Sequence, residues 1–186
     1  MNALRHLPNL ISLLRVALVG PALWFLLQLR YAEALATVFV AGASDALDGY
    51  LAKRYAWHSR IGAVLDPLAD KILLIASYIA LAYLQLVPLW LAVLILARDL
   101  IIVTGATAYY FLIVRIDMTP SISSKINTVA QIALVLLVIV AQLLPWLAPD
   151  VIAYAIWAVA ATSVWSGVSY VAVWSRHALR AAARHE

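Results

Sequence analysis

Six long apolar runs follow one another along the chain with only short breaks between them. Each is about as long as the roughly 20-residue helix that crosses a hydrocarbon core about 30 Å thick. The runs are too long for strands and do not alternate, and a helix satisfies its own backbone groups in lipid. We therefore predict an all-α membrane protein with six transmembrane helices, over residues 9–29, 32–55, 61–86, 88–114, 123–144 and 151–174.

The composition excludes a soluble globule. Hydrophobic residues make up 66% of the 186 residues and charged residues only 12%, which is too little polar surface to cover a domain in water. Neither a soluble domain nor an internal repeat interrupts the six runs. We predict one integral membrane domain over residues 1–186.

Lysine and arginine are distributed unevenly over the breaks, and cytoplasmic connections carry the excess of these residues. A cytoplasmic amino terminus leaves only Arg30 on the opposite side. We therefore expect both termini in the cytoplasm. The cytoplasmic side then receives Arg5, Lys53, Arg54, Arg60, Arg115, Lys125, Arg176, Arg180 and Arg184.

Four of the nine acidic residues fall in one stretch, "SDALDGYLAKRYAWHSRIGAVLDPLADK", residues 44–71. Asp45 and Asp48 are three positions apart, Asp66 and Asp70 are four apart, and on helices each pair shares a face. A short turn joins the two predicted helices. We expect both pairs to converge at the cytoplasmic boundary of the membrane.

These carboxylates need neutralisation, because one carboxylate at depth costs about 2.5–3.5 kcal/mol even on the lenient insertion scale. Protons, basic side chains and metal ions are the candidates, and Lys53 and Lys71 do not balance four aspartates. Oxygen ligands in a chain without cysteine suit Mg²⁺ or Mn²⁺. Two such ions would balance the charge, and a carboxylate-bridged metal pair is a recurring device for in-line attack at phosphorus.

The same stretch resembles the signature of the CDP-alcohol phosphatidyltransferases, D-x2-D-G-x2-A-R-x8-G-x3-D-x3-D. One position departs from it, since Lys53 stands where the family usually has arginine; the charge is kept but the bidentate fork is lost. The matching residues are Asp45, Asp48, Gly49, Ala52, Gly62, Asp66 and Asp70.

The resemblance implies a homodimeric six-helix enzyme that transfers a phosphatidyl group from CDP-diacylglycerol to an alcohol and releases CMP. It implies that the four aspartates bind two divalent cations, Mg²⁺ or Mn²⁺, and that Asp70 takes the proton of the acceptor hydroxyl. The residues that the resemblance places against the CDP-lipid are Asn9, Arg15, Gly49, Ala52, Lys53, Ser59 and Gly62. For Arg15 the alternative is that its side chain snorkels to the lipid head groups.

The acceptor is indicated by spans four and five. Arg98 and Asp99 lie inside span four, where ionisable groups mark functional sites, although they could simply pair with each other or with a neighbouring helix. The stretch "SISSKINTVAQ", residues 121–131, resembles a segment of the CMP-forming cardiolipin synthases, which join CDP-diacylglycerol to phosphatidylglycerol. Phosphatidylglycerophosphate synthases, which use glycerol 3-phosphate, resemble the chain almost as well but tend to carry a second lysine where Asn127 stands. We favour phosphatidylglycerol. The candidate acceptor-binding residues are Arg98, Arg115, Lys125 and Asn127.

Two other classes remain open, a small ion or proton carrier and a structural or assembly protein. Intramembrane carboxylates mark ion paths, but transporters usually show two related halves, and spans four to six hold no second acidic motif. Four uncompensated carboxylates fit a purely structural role poorly. We expect the lipid bilayer and a second copy as partners and no nucleic acid. A bacterial inner membrane is the expected location, with the active site at the cytoplasmic face.

Overall fold

The computed structural model describes the backbone of residues 7–55, 62–112, 122–144 and 146–182, and the side chains of residues 14–44, 71–105, 122–144 and 146–172. Over this part of the chain the structure consists of helices without strands, which confirms the all-α prediction and the order of six helices. Helix α6 continues to Ala182, past the predicted end at residue 174. The helices are α1 (Leu7–Leu27), α2 (Tyr31–Tyr55), α3 (Gly62–Tyr83), α4 (Leu89–Leu112), α5 (Ile122–Leu143) and α6 (Pro149–Ala182).

Helices α1 and α3 end in the same kind of backbone turn, and both end before the predicted limits at residues 29 and 86. Leu29 has φ 59° and Gln85 has φ 57°, in the left-handed region. The Arg30 N–H donates to the Phe25 carbonyl at 2.9 Å, and the Leu86 N–H donates to the Leu81 carbonyl at 2.9 Å. These are the bonds of a Schellman cap, here without the usual glycine. The apolar pattern runs on through both turns, so hydropathy alone places the ends too late.

Prolines stand at the starts of α4 and α6. Pro88 lies just before α4, as the predicted break requires, whereas Pro149 is the first residue of α6. Proline suits the first helical position because the N–H it lacks would have no partner inside the helix.

The described helices fall into two compact units. The first unit contains α1, α2, α3 and α5 from Val135 onward. Within it α1 packs against both α2 and α3. Ala22, Ala34 and Ala41 are all buried there, and small side chains of this kind let helix backbones approach closely in a membrane.

The second unit contains α4, α6 and α5 up to Leu134. Helix α4 packs against α6, with Leu91, Ile95 and Val159 buried at 0–2% exposure. The buried apolar side chains described in this unit are aliphatic, and its buried polar residues are Arg98, Asp99, Ser123, Asn127, Gln131, Ser163 and Ser166.

Large apolar side chains cover the outside of the described helices. Trp24, Phe39, Leu100 and Val129 are each more than 60% exposed, which suits a lipid solvent and not water. Among the described residues, Ile122–Leu143 and Pro149–Ala172 are long and apolar enough to cross a bilayer. The chain is a helical membrane protein; the count of six crossings and the cytoplasmic side of both termini stay predictions.

Candidate active site

The four aspartates occupy the parts of α2 and α3 that are nearest to the connection between these helices. At about 1.5 Å per helical residue, Asp45 and Asp48 lie roughly 15 and 10 Å before the end of α2 at Tyr55. By the same measure, Asp66 and Asp70 lie roughly 6 and 12 Å after Gly62, where α3 begins. Their side chains lie outside the described residues, so convergence on one metal site stays a prediction.

The helical backbone places the signature positions on one face of each helix. On α2, Asp48 and Gly49 follow Asp45 by three and four positions, and Ala52 follows it by seven, which is the repeat of a single helix face. On α3, Gly62, Asp66 and Asp70 follow one another at intervals of four. The sequence spacing therefore becomes two acidic helix faces in the structure.

Helix α1 is the common neighbour of these two helices, because both α2 and α3 pack on it. Arg15 of α1 is completely buried, with 0% of its surface exposed. A snorkelling arginine keeps its charged head in water or among head groups. The burial therefore favours a position inside the protein over the snorkelling interpretation, and its predicted contact with the CDP-lipid is untested.

The other predicted CDP-lipid residues are located only by their backbone. Asn9 lies in the first turn of α1, and Lys53 lies close to the end of α2. Gly49 and Ala52 lie on α2, and Gly62 is the first residue of α3. Ser59 lies outside the described residues.

Arg98 is the centre of a buried polar cluster in the second unit. Its Nη1 donates to Asp99 Oδ1 at 2.6 Å, and the two residues are only 5% and 8% exposed. Its Nη2 donates to Ser124 Oγ of α5 at 2.8 Å and to Ser166 Oγ of α6. The alternative that Arg98 and Asp99 pair with each other is confirmed, and the same guanidinium joins three helices.

Asn127 forms a second polar contact between α5 and α6. Its Oδ1 accepts hydrogen bonds from Thr162 Oγ1 and from Ser163 Oγ, both at 2.9 Å. The residue is fully buried, and its Nδ2 has no hydrogen-bond partner within the part of the chain that the structure describes. Asn127 thus links two helices, and its predicted contact with the acceptor is untested.

The remaining acceptor candidates differ in position. Lys125 is exposed near the start of α5, and Arg115 lies outside the described residues. Sequence reasoning missed the hydroxyl residues of the second unit, Ser124, Thr162, Ser163 and Ser166. Two sequence signals could have found them: Ser124 lies in the stretch of residues 121–131, and Thr162 and Ser163 precede Ser166 by four and three positions, which places these hydroxyls near one helix face.

An open groove of about 440 Å³ runs along α4 and α6 beside Arg98. Its walls are almost wholly apolar, and Arg98 itself already pairs with Asp99. The groove therefore suits hydrocarbon and not a charged head group. Its lining includes Leu94, Ile101, Val164, Val168 and Val171.

Comparison with known proteins identifies the family to which the chain belongs. The family model of the CDP-alcohol phosphatidyltransferases matches residues 5–165, a range that includes all four aspartates. The chain belongs to the CDP-alcohol phosphatidyltransferase family. Members of this family generally use divalent metal ions, and four carboxylates in a chain without cysteine are the donor set that Mg²⁺ or Mn²⁺ prefers.

Curated members of the family include relatives of two kinds. The chain is 34% identical over 180 residues to a cardiolipin synthase (CMP-forming) / mitochondrial hydrolase fusion protein of Schizosaccharomyces pombe, covering 88% of this chain and 30% of the relative. It is 33% identical over 145 residues to the cardiolipin synthase (CMP-forming) of Rattus norvegicus, covering 69% of this chain and 48% of the relative.

The second kind is represented by the chloroplastic CDP-diacylglycerol–glycerol-3-phosphate 3-phosphatidyltransferase 1 of Oryza sativa subsp. japonica. The chain is 35% identical to it over 187 residues, covering 89% of this chain and 56% of the relative. The chain therefore spans between about a third and somewhat over half of the length of these three relatives. Both kinds of relative belong to phospholipid synthesis by their names.

Proposed function

We propose that the protein transfers a phosphatidyl group from CDP-diacylglycerol to an alcohol and releases CMP. The observation that carries this proposal is the pair of acidic helix faces on α2 and α3, inside the range that the family model matches. Four carboxylates at these spacings on two neighbouring stretches of helix fit a cation-dependent site better than a packing role. Family membership also favours the enzyme over the ion or proton carrier.

The proposed chemistry is an in-line exchange at the phosphorus of the phosphatidyl group. The hydroxyl oxygen of the acceptor forms a new P–O bond, and the P–O bond to CMP breaks, so that CMP leaves with the bridging oxygen. Asp70 accepts the hydroxyl proton, because an alcohol is a poor nucleophile at neutral pH and needs a base within hydrogen-bond reach.

The other signature residues position the donor. Lys53 places a positive charge against a phosphate of the CDP group, as a point charge and not as a bidentate fork. Gly49 and Ala52 are small, which leaves room for a nucleotide close to the α2 backbone. Asp45, Asp48, Asp66 and Asp70 would hold two divalent cations, Mg²⁺ or Mn²⁺. Such ions, when bound, screen the charge of the diphosphate and of departing CMP.

Phosphatidylglycerol is the acceptor that we favour, which makes cardiolipin the product. A glycerol 3-phosphate carries roughly 1.5–2 negative charges and would need additional cations. Position 127 carries a neutral amide, and the charge of Arg98 is already balanced by Asp99 at 2.6 Å. Both features support an acceptor of lower charge with a free diol. Phosphatidylglycerophosphate synthesis is the second candidate, supported by the rice relative.

The proposal also covers the topology of the protein in the membrane and the face at which the reaction takes place. The uneven distribution of lysine and arginine supports six crossings with both termini in the cytoplasm and the aspartates at the cytoplasmic face. There the acyl chains of the substrate stay in the bilayer while the cytidine lies in water. We further propose that the enzyme is a homodimer in a bacterial inner membrane.

The deciding experiment is an acceptor competition. Purified protein in lipid receives labelled CDP-diacylglycerol, Mg²⁺ or Mn²⁺, and a panel of alcohols, and the products are identified by mass. We expect CMP release and cardiolipin when phosphatidylglycerol is the acceptor. Phosphatidylglycerophosphate from glycerol 3-phosphate would establish the second candidate instead. No CMP release with any acceptor, together with ion or proton flux across vesicles, would overturn the enzyme proposal.

A further inference from the structure

The amino-terminal ends of α4 and α6 form an exposed aromatic surface in the second unit, which we define as Leu89, Trp90, Tyr154 and Trp157. The rings of Trp90 and Trp157 contact each other, with centroids 5.4 Å apart and planes inclined by 37°. All four side chains remain open, from 45% exposure at Trp90 to 76% at Tyr154. The ring contact therefore does not bury this surface.

Helices α4 and α6 run parallel and in register beyond this surface. Trp90 contacts Trp157, a separation of 67 positions, and Arg98 contacts Ser166, a separation of 68. Because the sequence separation is nearly the same at both contacts, the two helices run in the same direction with matching rise along their axes. Arg98 follows Trp90 by eight residues, or about 12 Å along the helix axis.

The exposed side chains change in kind along this distance. Tryptophan and tyrosine combine an apolar ring with a polar N–H or O–H and are enriched where lipid meets water. Further along, the exposed side chains of the same two helices are aliphatic at most positions, with Leu100 at 64% and Val168 at 62% exposure, and Trp165 at 55% is the aromatic exception. Residues 84–88 and 144–148, which precede the two helices, contain no lysine or arginine. The aromatic side chains thus lie at the start of these helices, and mainly aliphatic side chains face outward further along them.

We propose that the aromatic surface lies in the head-group region of the bilayer and that the Arg98–Asp99 pair lies about 12 Å deeper, close to the middle of the roughly 30 Å hydrocarbon core. This placement is independent of the proposed function, since it uses neither a substrate nor the four signature aspartates. It gives a reason for the polar cluster in the second unit. A bare arginine at that depth is costly, so its guanidinium is enclosed by Asp99, Ser124 and Ser166.

The test compares two tryptophans on α6. Trp157 and Trp165 are 66% and 55% exposed, so both are open to lipid, and eight residues or about 12 Å separate them. Two chains are made that keep one of these tryptophans and carry Trp→Phe at all other tryptophan positions. Each is placed in phosphatidylcholine vesicles with bromine atoms at a shallow or a deep acyl position, and tryptophan fluorescence is recorded.

We expect Trp157 to be quenched most by the shallow bromines and Trp165 most by the deep ones, with fitted depths that differ by roughly 12 Å. Equal depths for the two residues, or a deeper Trp157, would overturn the proposal. Strong quenching of Trp157 by iodide from water, without quenching by lipid bromines, would overturn it as well.

A second measurement covers the case in which a single-tryptophan chain does not fold. The protein contains no cysteine, so Tyr154→Cys and Val168→Cys can each carry one nitroxide label in the otherwise unchanged chain. We expect collisions with a water-soluble nickel complex to dominate at position 154 and collisions with oxygen at position 168. The same collision pattern at both positions would contradict the proposed depths.

Discussion

The two units differ in the arrangement of their charged residues. In the first unit, α2 and α3 carry four aspartates at signature positions, with Lys53 as the one basic residue of that signature. In the second unit, the charge of Arg98 meets the charge of Asp99 at 2.6 Å and two serines complete the cluster. We propose that the four aspartates of the first unit hold cations, whereas the Arg98–Asp99 pair of the second unit is neutral within the fold.

This difference indicates what each region is for. A charge that the fold itself neutralises contributes to the packing of helices, because removing one partner exposes the other to a low-dielectric core. A charge that the fold leaves in excess is expensive until something binds. Changes in the first unit should therefore affect the reaction, and changes in the second unit should affect stability.

Removal of divalent metal should have the largest effect, because it should abolish the activity assigned to the first unit and leave the helices of both units intact. With a chelator in excess, we expect complete loss of CMP release and full recovery on addition of Mg²⁺ or Mn²⁺, because the proposed reaction depends on cations held by the four aspartates. Helix content, followed by circular dichroism, should remain. Full activity in a sample whose metal content is verified as nil would show that the first unit does not need a bound cation.

Substitution of the proposed base should have the next largest effect. Asp70→Asn keeps the shape and one metal-binding oxygen but does not accept a proton, so turnover should fall by about 10²–10⁴-fold. The affinity for CDP-diacylglycerol should stay near normal because three aspartates remain. Asp150→Asn is the matched control, since Asp150 is exposed in the first turn of α6. Turnover within a few-fold of the parent would show that Asp70 is not the base, and a joint loss of affinity would make it mainly a metal ligand.

Breaking the charge pair of the second unit should lower stability more than breaking a pair at the surface. Arg98→Leu removes the cation beside a buried carboxylate, and such a loss costs about 3–5 kcal/mol. Arg30→Leu is the control, because Arg30 and Glu33 are also 2.6 Å apart but their side chains are 53% and 43% exposed. An exposed pair contributes about 0–1 kcal/mol. The measurement is the free energy of unfolding in detergent.

The double change Arg98→Leu with Asp99→Asn should recover part of the lost stability, because it removes the charge that the single change leaves behind. Equal losses in Arg98→Leu and Arg30→Leu would mean that the buried cluster does not stabilise the second unit.

Removal of the signature lysine should have a smaller effect, confined to donor binding. A hydrogen bond to a charged group contributes about 1.5–3 kcal/mol, so Lys53→Ala should raise the KM for CDP-diacylglycerol by about tenfold to a hundredfold. Lys53→Arg should be tolerated, because the charge is kept. Unchanged kinetics in Lys53→Ala would count against a phosphate contact.

The smallest expected effect concerns the hydroxyl contacts between α5 and α6. Ser163→Ala removes the hydrogen bond to Asn127, and bonds between membrane helices contribute on average about 0.6 kcal/mol, with a maximum near 1.7. Ser169→Ala on the same helix removes only a bond to the Trp165 carbonyl of its own helix. We expect a lower free energy of unfolding in the first variant and little change in the second. The reverse order would contradict the role assigned to Asn127.

Much of the fold and of the candidate site could be predicted from the sequence because both depend on local periodicity. A bilayer requires helices of a minimum length, so six apolar runs predict six helices. The helical repeat alone then places Asp45 with Asp48 and Asp66 with Asp70, whichever way the helices pack. The family resemblance depends on the same spacing, and the family match confirms it.

Tertiary structure decided the features that depend on residues far apart in the chain. The sequence shows Arg98 beside Asp99, but its bonds to Ser124 and Ser166 cross 26 and 68 positions and exist only because α4, α5 and α6 pack together. The hydrogen bonds that Thr162 and Ser163 donate to Asn127 cross 35 and 36 positions. Hydropathy does not reveal such partners, because a serine in an apolar helix looks the same whether it bonds its own backbone or a neighbouring helix. Only the packing of helices brings a distant hydroxyl within hydrogen-bond distance of a buried charge.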